Sequence, residues 1–387
     1  MPLLNSAAAI APEATAWRRH LHAHPELMYD VHETARFVAD KLRSFGCDEV
    51  VEGIGRTGVV GIIRGTRGSG PTVGLRSDMD ALPITEATGA AHASTRPGKM
   101  HACGHDGHTA MLLGAAKHLS ETRNFRGAVA VIFQPAEEGG AGGLAMVDDG
   151  MMDRFAIEEV YGLHNMPGVP LGEFAIRSGS IMAATDEFTL TIRGRGSHAA
   201  QPHKSIDPIV AGAQLVSALQ TVASRTLDPI KSLVVSVTKF QAGTAYNVIP
   251  ETALVAGTVR TLDAGVRDMV ERRIREICAG VAAAQGAEIA VGYHRNYPVT
   301  VNHARETGHA IDAATAVAGE GKVNPDTPPV MGGEDFAYML EARPGAFIFM
   351  GVGDTAPLHH PKYDFNDEAI PHGVSYWVGL AEARLAP

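Results

Sequence analysis

Met100-His101-Ala102-Cys103-Gly104-His105-Asp106-Gly107-His108-Thr109 gathers a thiol, several imidazoles and a carboxylate into one short stretch, with a glycine on each side of His105. Glycine reaches backbone conformations that other residues avoid, so the chain can turn tightly there. Thiolate with imidazole is a zinc or transition-metal ligand set, and each such ligand must lose a proton to bind. A histidine-rich surface loop with one buried cysteine is the other reading of these residues. The next ten residues decide the fold: Met111, Leu112, Ala115, Ala116 and Leu119 recur at helical spacing, so a helix begins near His108. The metal-type residues then lie at a strand-to-helix turn.

The same arrangement recurs on both sides of this stretch. A strand over Thr72 to Arg76 runs into Ser77-Asp78-Met79-Asp80, and on extended backbone the two aspartates point the same way. Ala128 to Phe133 reads as a buried strand ending at Gln134-Pro135-Ala136-Glu137-Glu138-Gly139, whose adjacent carboxylates would point to opposite sides. Val160 to Leu163 ends in His164, with a turn after it. In open α/β sheets ligands bind at the carboxyl ends of strands. Each acid alone reads as a loop cap, but the repetition of Asp, Cys/His, Glu and His at strand ends is not explained by capping. Upstream, Ala14 to Ala23 and His32 to Phe45 carry helical periodicity, the second ending at Gly46. His20, His22 and His24 sit on alternate residues at the end of the first stretch, without the His-Glu-x-x-His of a zinc-protease helix.

From Met182 to about Tyr297 the pattern changes. Strands over Asp186 to Arg193, Ser232 to Gln241, Thr252 to Thr261 and Ala287 to Arg295 alternate with helices over Asp207 to Arg225 and Ala264 to Gln285. That order is β-α-β-β-α-β, the ferredoxin-like unit. The expected fold class is α/β: a metal-binding catalytic domain with a mixed central sheet, residues 1–181 and 298–387, and an inserted ferredoxin-like satellite, 182–297. The satellite's Gly194-Arg195-Gly196-Ser197-His198 loop lets backbone approach a ligand. After it, Gly332-Gly333-Glu334-Asp335 opens a helix, Ala346 to Met350 is a buried strand, Leu358-His359-His360-Pro361 is a loop, and Pro371 to Leu385 is a helix.

The chain has 387 residues, 45% hydrophobic and 20% charged, with a formal charge of −10. That balance, without a Lys/Arg block, argues against a nucleic-acid partner. Cys47, Cys103 and Cys278 are odd in number and far apart, which fits a reducing compartment and hence the cytoplasm. The apolar run Ala7 to Ile10 is broken by Pro12 and Glu13, so neither a signal peptide nor a membrane span is expected.

Taken together, the motifs resemble the aminoacylase/hippurate hydrolase branch of the dinuclear-metal carboxypeptidase and amidohydrolase family. The resemblance rests on Ser77 to Pro83, Met100 to Met111, Gln134 to Gly139, Gly162-Leu163-His164, Gly194 to His198, Asn247-Val248-Ile249-Pro250, Gly333 to Phe336 and Leu358 to Pro361, in that order. It implies hydrolysis of a small N-acyl amino acid to a carboxylic acid and an amino acid. It implies Cys103, His105, Glu138, His164 and His359 as ligands of two divalent ions per subunit, Mn2+ first, with Zn2+, Co2+ or Ni2+ as alternatives. Glu137 would be the general base, Asp80 an orienting acid, and Asn247 and Arg260 substrate-binding residues. A homodimer or dimer of dimers is implied, with His198 reaching a partner's site. Two positions depart from the wider pattern: Asp78 stands where a histidine is usual, and His360 where serine is common. A Cys103 nucleophile with His105 or His108 as base, and a non-catalytic metal-binding protein, are the readings from other classes.

Overall fold

The computed structural model describes residues 3–386; residues 1, 2 and 387, the outer ends of the expected catalytic segments, lie outside the described residues. The chain divides into two compact units: Met1–Ile181 with Thr300–Pro328 and Asp335–Pro387, and Met182–Val299 with Pro329–Glu334. The run Pro329–Glu334, expected in the returning catalytic segment, packs with the second unit, where the Ala183 N–H donates to the Gly332 carbonyl at 2.9 Å.

An eight-stranded mixed sheet organises the first unit, in the order Glu49–Ile54, Gly58–Arg64, Ala128–Gln134, Thr72–Asp78, Ile157–Met166, Gly345–Gly351, Phe174–Ala175, Val323–Asn324. The four strands from Ala128–Gln134 to Gly345–Gly351 in this order run parallel. Every residue of Thr72–Asp78 and of Gly345–Gly351 is buried, as expected where a parallel sheet is covered on both faces. The helices Asn5–Ala23, His105–Thr122 and Ile370–Arg384 pack against one another.

Helix Asn5–Ala23 begins well before Ala14, because Ala7, Ile10, Ala14, Trp17 and Leu21 form one continuous buried stripe. Pro12 lies inside this helix on its exposed side, so the residue read as a breaker is accommodated by the packing of the opposite face. Helix His32–Ser44 closes at Gly46 (φ +79°), where the Gly46 N–H donates to the Arg43 carbonyl and the Cys47 N–H to the Leu42 carbonyl, the Schellman pattern. A helix over Ala304–Ala318 was not expected; the face it buries is made of Glu306, Thr307, Ala310, Ala313 and Ala314, with no large apolar side chain to mark it.

The second unit is the expected ferredoxin-like layer pair. Its four-stranded sheet runs Leu233–Ala242, Thr252–Thr261, Ala184–Arg193, Glu288–Arg295, with all neighbours antiparallel. One face is apolar: Phe188, Leu190, Ile192, Val255 and Val259 pack with Leu215 and Leu219 of helix Pro208–Thr221 and with Val270, Ile274 and Cys278 of helix Ala264–Gln285. Asp207 and Asp263 cap these helices by accepting backbone N–H groups of Ile209 and Val266. The first α-helix stops at Thr221, short of the expected Arg225, and Val222–Thr226 continues as a π-turn.

Candidate metal centre

The carboxyl ends of the parallel strands carry the site. After Thr72–Asp78 the chain reaches Asp80, whose carboxylate accepts the backbone N–H groups of Glu137 (2.9 Å) and Glu138 (3.1 Å). These two bonds hold the acid loop beyond the next strand. The loop is a turn rather than extended backbone, because Ala136 adopts φ +53°. Glu137 and Glu138 therefore do not point to opposite sides as expected: an oxygen of each lies within 4.8 Å of the other and of a His105 nitrogen.

His105 opens its helix earlier than expected, directly after Gly104, whose left-handed conformation (φ +89°) glycine adopts without strain. An ideal Cβ at Gly104 would stand 2.3 Å from Asn165 Oδ1 and 2.8 Å from Tyr363 Oη, so no larger residue fits. The His105 Nδ1–H donates to the Asp80 carbonyl at 2.8 Å, which turns Nε2 toward the other donors. Cys103 Sγ is 3.4 Å from His164 Nε2, and His359 Nε2 is 3.3 Å from Glu138 Oε1. His359 reaches this position from a left-handed backbone (φ +63°), with its N–H on the Ala102 carbonyl at 2.8 Å. His360 is turned away: its Nδ1 accepts the Lys362 N–H at 3.1 Å.

Overlapping sets of donors lie within 4.8 Å of one another: Cys103, His105 and His164; Cys103, Glu138 and His359; His105, Glu137 and Glu138. Cys103, His105 and Glu138 each belong to two of them, as a pair of adjacent cations would require. The donor chemistry fits such ions. His105 Nε2 is buried without a hydrogen-bond partner, and Glu138 Oε1 is buried with only the His359 ring beside it; such orphans are otherwise rare. Cys103 and Glu138 beside it push His359 up to about 10. Burial would lower His105, yet Asp78 and Cys103 raise it well above the usual histidine range. These protons balance acidic donors, and metal binding releases such protons.

Asp78 answers to other partners. Its Oδ2 accepts from Arg76 Nη1 at 2.9 Å and its Oδ1 lies 2.6 Å from His108 Nδ1. Burial would raise this carboxyl, but His105, His108 and Arg76 hold it well below the usual range. Arg76 also donates to Gln134 Oε1 (2.8 Å) and Asp335 Oδ1 (3.0 Å). Sequence reasoning passed over Arg76 and Asn165 and weighed His108 only as a base for a Cys103 nucleophile; for Arg76 the available signal was a charge inside an otherwise apolar buried strand. His22 does not join the donor sets: it is buried, 2.8 Å from Asp106 Oδ2 and 3.3 Å from Glu86 Oε1.

The remaining expected residues belong to the second unit. Exposed His198 pairs with Val248 in a two-residue ladder, and the Ala199 N–H donates to the Asn247 carbonyl at 2.9 Å, so His198 and Asn247 share one loop cluster. Arg260 stands apart from them, half-buried on strand Thr252–Thr261 with Nη1 on the Val259 carbonyl at 2.9 Å. Its burial lowers its pKa.

A mixed α/β sheet with cysteine, histidine and glutamate donors converging on its strand ends defines a metal-dependent hydrolase. The chain belongs to the family described as Peptidase family M20/M25/M40, which matches residues 74–383. It is 42% identical over 364 residues to a hippurate hydrolase of Campylobacter jejuni, covering 94% of each chain. It is 42% identical over 370 residues to an N-acetyl-L-cysteine deacetylase of Bacillus subtilis, covering 95% of this chain and 87% of that one. Among solved structures, a Bacillus subtilis protein described as a dinuclear metal binding peptidase of the M20 family superposes with a TM-score of 0.85 at 36% identity, over 98% of this chain and 99% of that one. No helix among the described residues is long and apolar enough to cross a membrane.

Proposed function

We propose that this protein is a metal-dependent amidohydrolase that cleaves small N-acyl amino acids, of the hippurate or N-acetyl type, to a carboxylic acid and a free amino acid. The observation that carries the reading is the convergence of Cys103, His105, Glu138, His164 and His359 around the buried, unbonded His105 Nε2, with Glu137 beside them. These five are the proposed ligands of two divalent ions, Mn2+ first and Zn2+, Co2+ or Ni2+ as alternatives. Divalent ions bound there supply a water whose pKa falls from about 15.7 toward 7 and a Lewis acid for the amide carbonyl.

The chain's own residues supply the rest. Glu137 is the general base: it takes a proton from water and returns one to the leaving amine, a role worth about 10²–10⁴-fold. Asp80 orients, holding the Glu137 and Glu138 backbone by its carboxylate and His105 by its carbonyl. Asn247 and Arg260 are proposed to bind substrate, His198 to act in catalysis as an oxyanion donor, and the second unit to be a dimerisation and lid domain that presents His198 to the partner's site. The free cysteines support a cytoplasmic location. A Cys103 nucleophile has less support, since it leaves Glu138, His164 and His359 without a role although they converge on the same place.

The test is turnover of a panel of N-acyl amino acids by chelator-stripped protein reconstituted with each metal. Hippurate and N-acetyl amino acids should be cleaved only after a divalent ion is restored. Undiminished cleavage by the stripped protein, or none by any reconstituted form, would sink the proposal.

A further inference from the structure

The proposed ligands stand on separate segments of the first unit, and one buried chain of hydrogen bonds ties these segments together. Arg76 Nη1 donates to Asp78 Oδ2 at 2.9 Å, and Asp78 Oδ1 is 2.6 Å from His108 Nδ1. Across the ring, Nε2 is 3.0 Å from the Asn165 backbone nitrogen and 2.6 Å from its side-chain oxygen. The Asn165 side-chain nitrogen then donates to the Tyr363 hydroxyl at 2.7 Å. Arg76, Asp78, Asn165 and Tyr363 are fully buried and His108 is 2% exposed.

Each member stands close in sequence to a residue of the proposed site. Asp78 precedes Asp80, His108 lies one helical turn beyond His105, Asn165 follows His164, and Tyr363 closes the loop that carries His359. His108 is central in space as well. Its ring centroid is 5.5 Å from that of His105 and 4.6 Å from that of His164. Gly104, between Cys103 and His105, lies so close to Asn165 and Tyr363 that a Cβ would overlap them.

We propose that Arg76, Asp78, His108, Asn165 and Tyr363 form a positioning relay that sets the spacing of the ligand-bearing segments, with His108 as its central residue and neither Asp78 nor His108 a metal ligand. This rests on the ligand set proposed above. Both oxygens of Asp78 and both ring nitrogens of His108 are already engaged. Recruiting Asp78 to an ion would leave the buried Arg76 guanidinium without one of its carboxylates, and breaking a buried ion pair is strongly unfavourable. The Asn165 carbonyl in turn accepts the His164 Nδ1–H at 2.7 Å, and partners of this kind orient metal ligands, so that losing one typically weakens metal affinity on the order of 10–100-fold.

The test is calorimetric titration of metal-free protein with Mn2+, alongside Co2+ titration followed by thiolate-to-cobalt absorption. His108→Gln should weaken Mn2+ affinity by about 10–100-fold, leave the number of bound ions unchanged at saturation, and lower kcat more than it raises KM. Tyr363→Phe, which removes one hydroxyl, should weaken affinity less, and the double variant should bind no worse than His108→Gln, because the relay is then already broken. Wild-type affinity in His108→Gln, additive losses in the double variant, or one fewer ion bound at saturation would each overturn the relay. If His108→Gln does not fold, unchanged affinity in Tyr363→Phe overturns it. The ligand set is judged separately: a cobalt band that survives Cys103→Ser would overturn that reading, whatever the calorimetry of the relay variants gives.

Discussion

The first unit buries Arg76, Asp78, Asp80, His105 and Asp106 completely or nearly so, and gives each a partner of opposite charge or a hydrogen bond. The second unit has an apolar core beside which Asp186 is buried against Arg267 and Tyr293, and keeps His198 exposed on a loop. Buried, mutually satisfied charges have one arrangement, because any other strands a charge in a medium that solvates it poorly. Exposed loop residues have many. Geometric precision therefore belongs to the first unit, and adaptable contact to the second.

This division of labour is tested most severely at the acid loop. Glu137→Gln should keep its metal and lose turnover by about 10²–10⁴-fold, whereas Glu138→Ala should lose metal. Equal metal content with equal residual activity in the two variants would show that adjacency on the turn does not separate their roles. Next comes the exposed loop. His198→Ala should cost on the order of 10²–10³ in kcat, as for an oxyanion donor, with metal content unchanged. Mixing His198→Ala chains with Glu137→Gln chains should restore activity if His198 serves a partner; a mixture shown to contain heterodimer yet still inactive would reject that role.

A smaller effect is expected from pH. Burial lowers the His22 pKa, but Asp106 and Glu86 outweigh it and push it up to about 9. A raised histidine contributes stability that is complete below its unfolded value near 6.5 and is lost as pH rises through the folded value. Thermal midpoints should thus fall between about pH 6.5 and 9, and His22→Gln should flatten that part of the profile. An identical slope in the variant would assign the loss elsewhere. Smallest of all, Arg275→Ala removes an exposed pair with Glu271 on helix Ala264–Gln285 and should shift stability by no more than about 0.5 kcal/mol. A larger loss in denaturant titration would mean that the second unit also depends on its charges.

Much of this was legible because local signals and chemistry coincided. The acids and His164 stood just after runs of strand-forming residues, and the ferredoxin-like unit announced itself through the alternation and order of its strands and helices; the expected strand directly before Cys103 is absent, since among the described residues no strand lies between Asp78 and His105. The sheet order was not legible, since Thr72–Asp78 lies between strands whose pairing depends on contacts remote in sequence. The turn at Ala136 was hidden too: a left-handed alanine carries no sequence mark, so the carboxylates of Glu137 and Glu138 were read as diverging. His108 read from the sequence only as an alternative base for Cys103, because Asp78, 30 positions away, and Asn165, 57 positions away, close on it only in the fold.

The bond between Arg76 and Asp335 spans 259 positions, with the whole inserted unit in between. At roughly 5–20 residues per second of synthesis, the strand bearing Arg76 leaves the ribosome some tens of seconds before that carboxylate exists. Over the same interval Ile157–Met166 lacks its parallel neighbour Gly345–Gly351. The nascent chain thus carries an incomplete sheet edge and an under-neutralised cation while the insertion, with its own core, is free to fold. Completion of the catalytic sheet becomes a late event in the birth of the protein, and the interval before it is when a chaperone has something to hold.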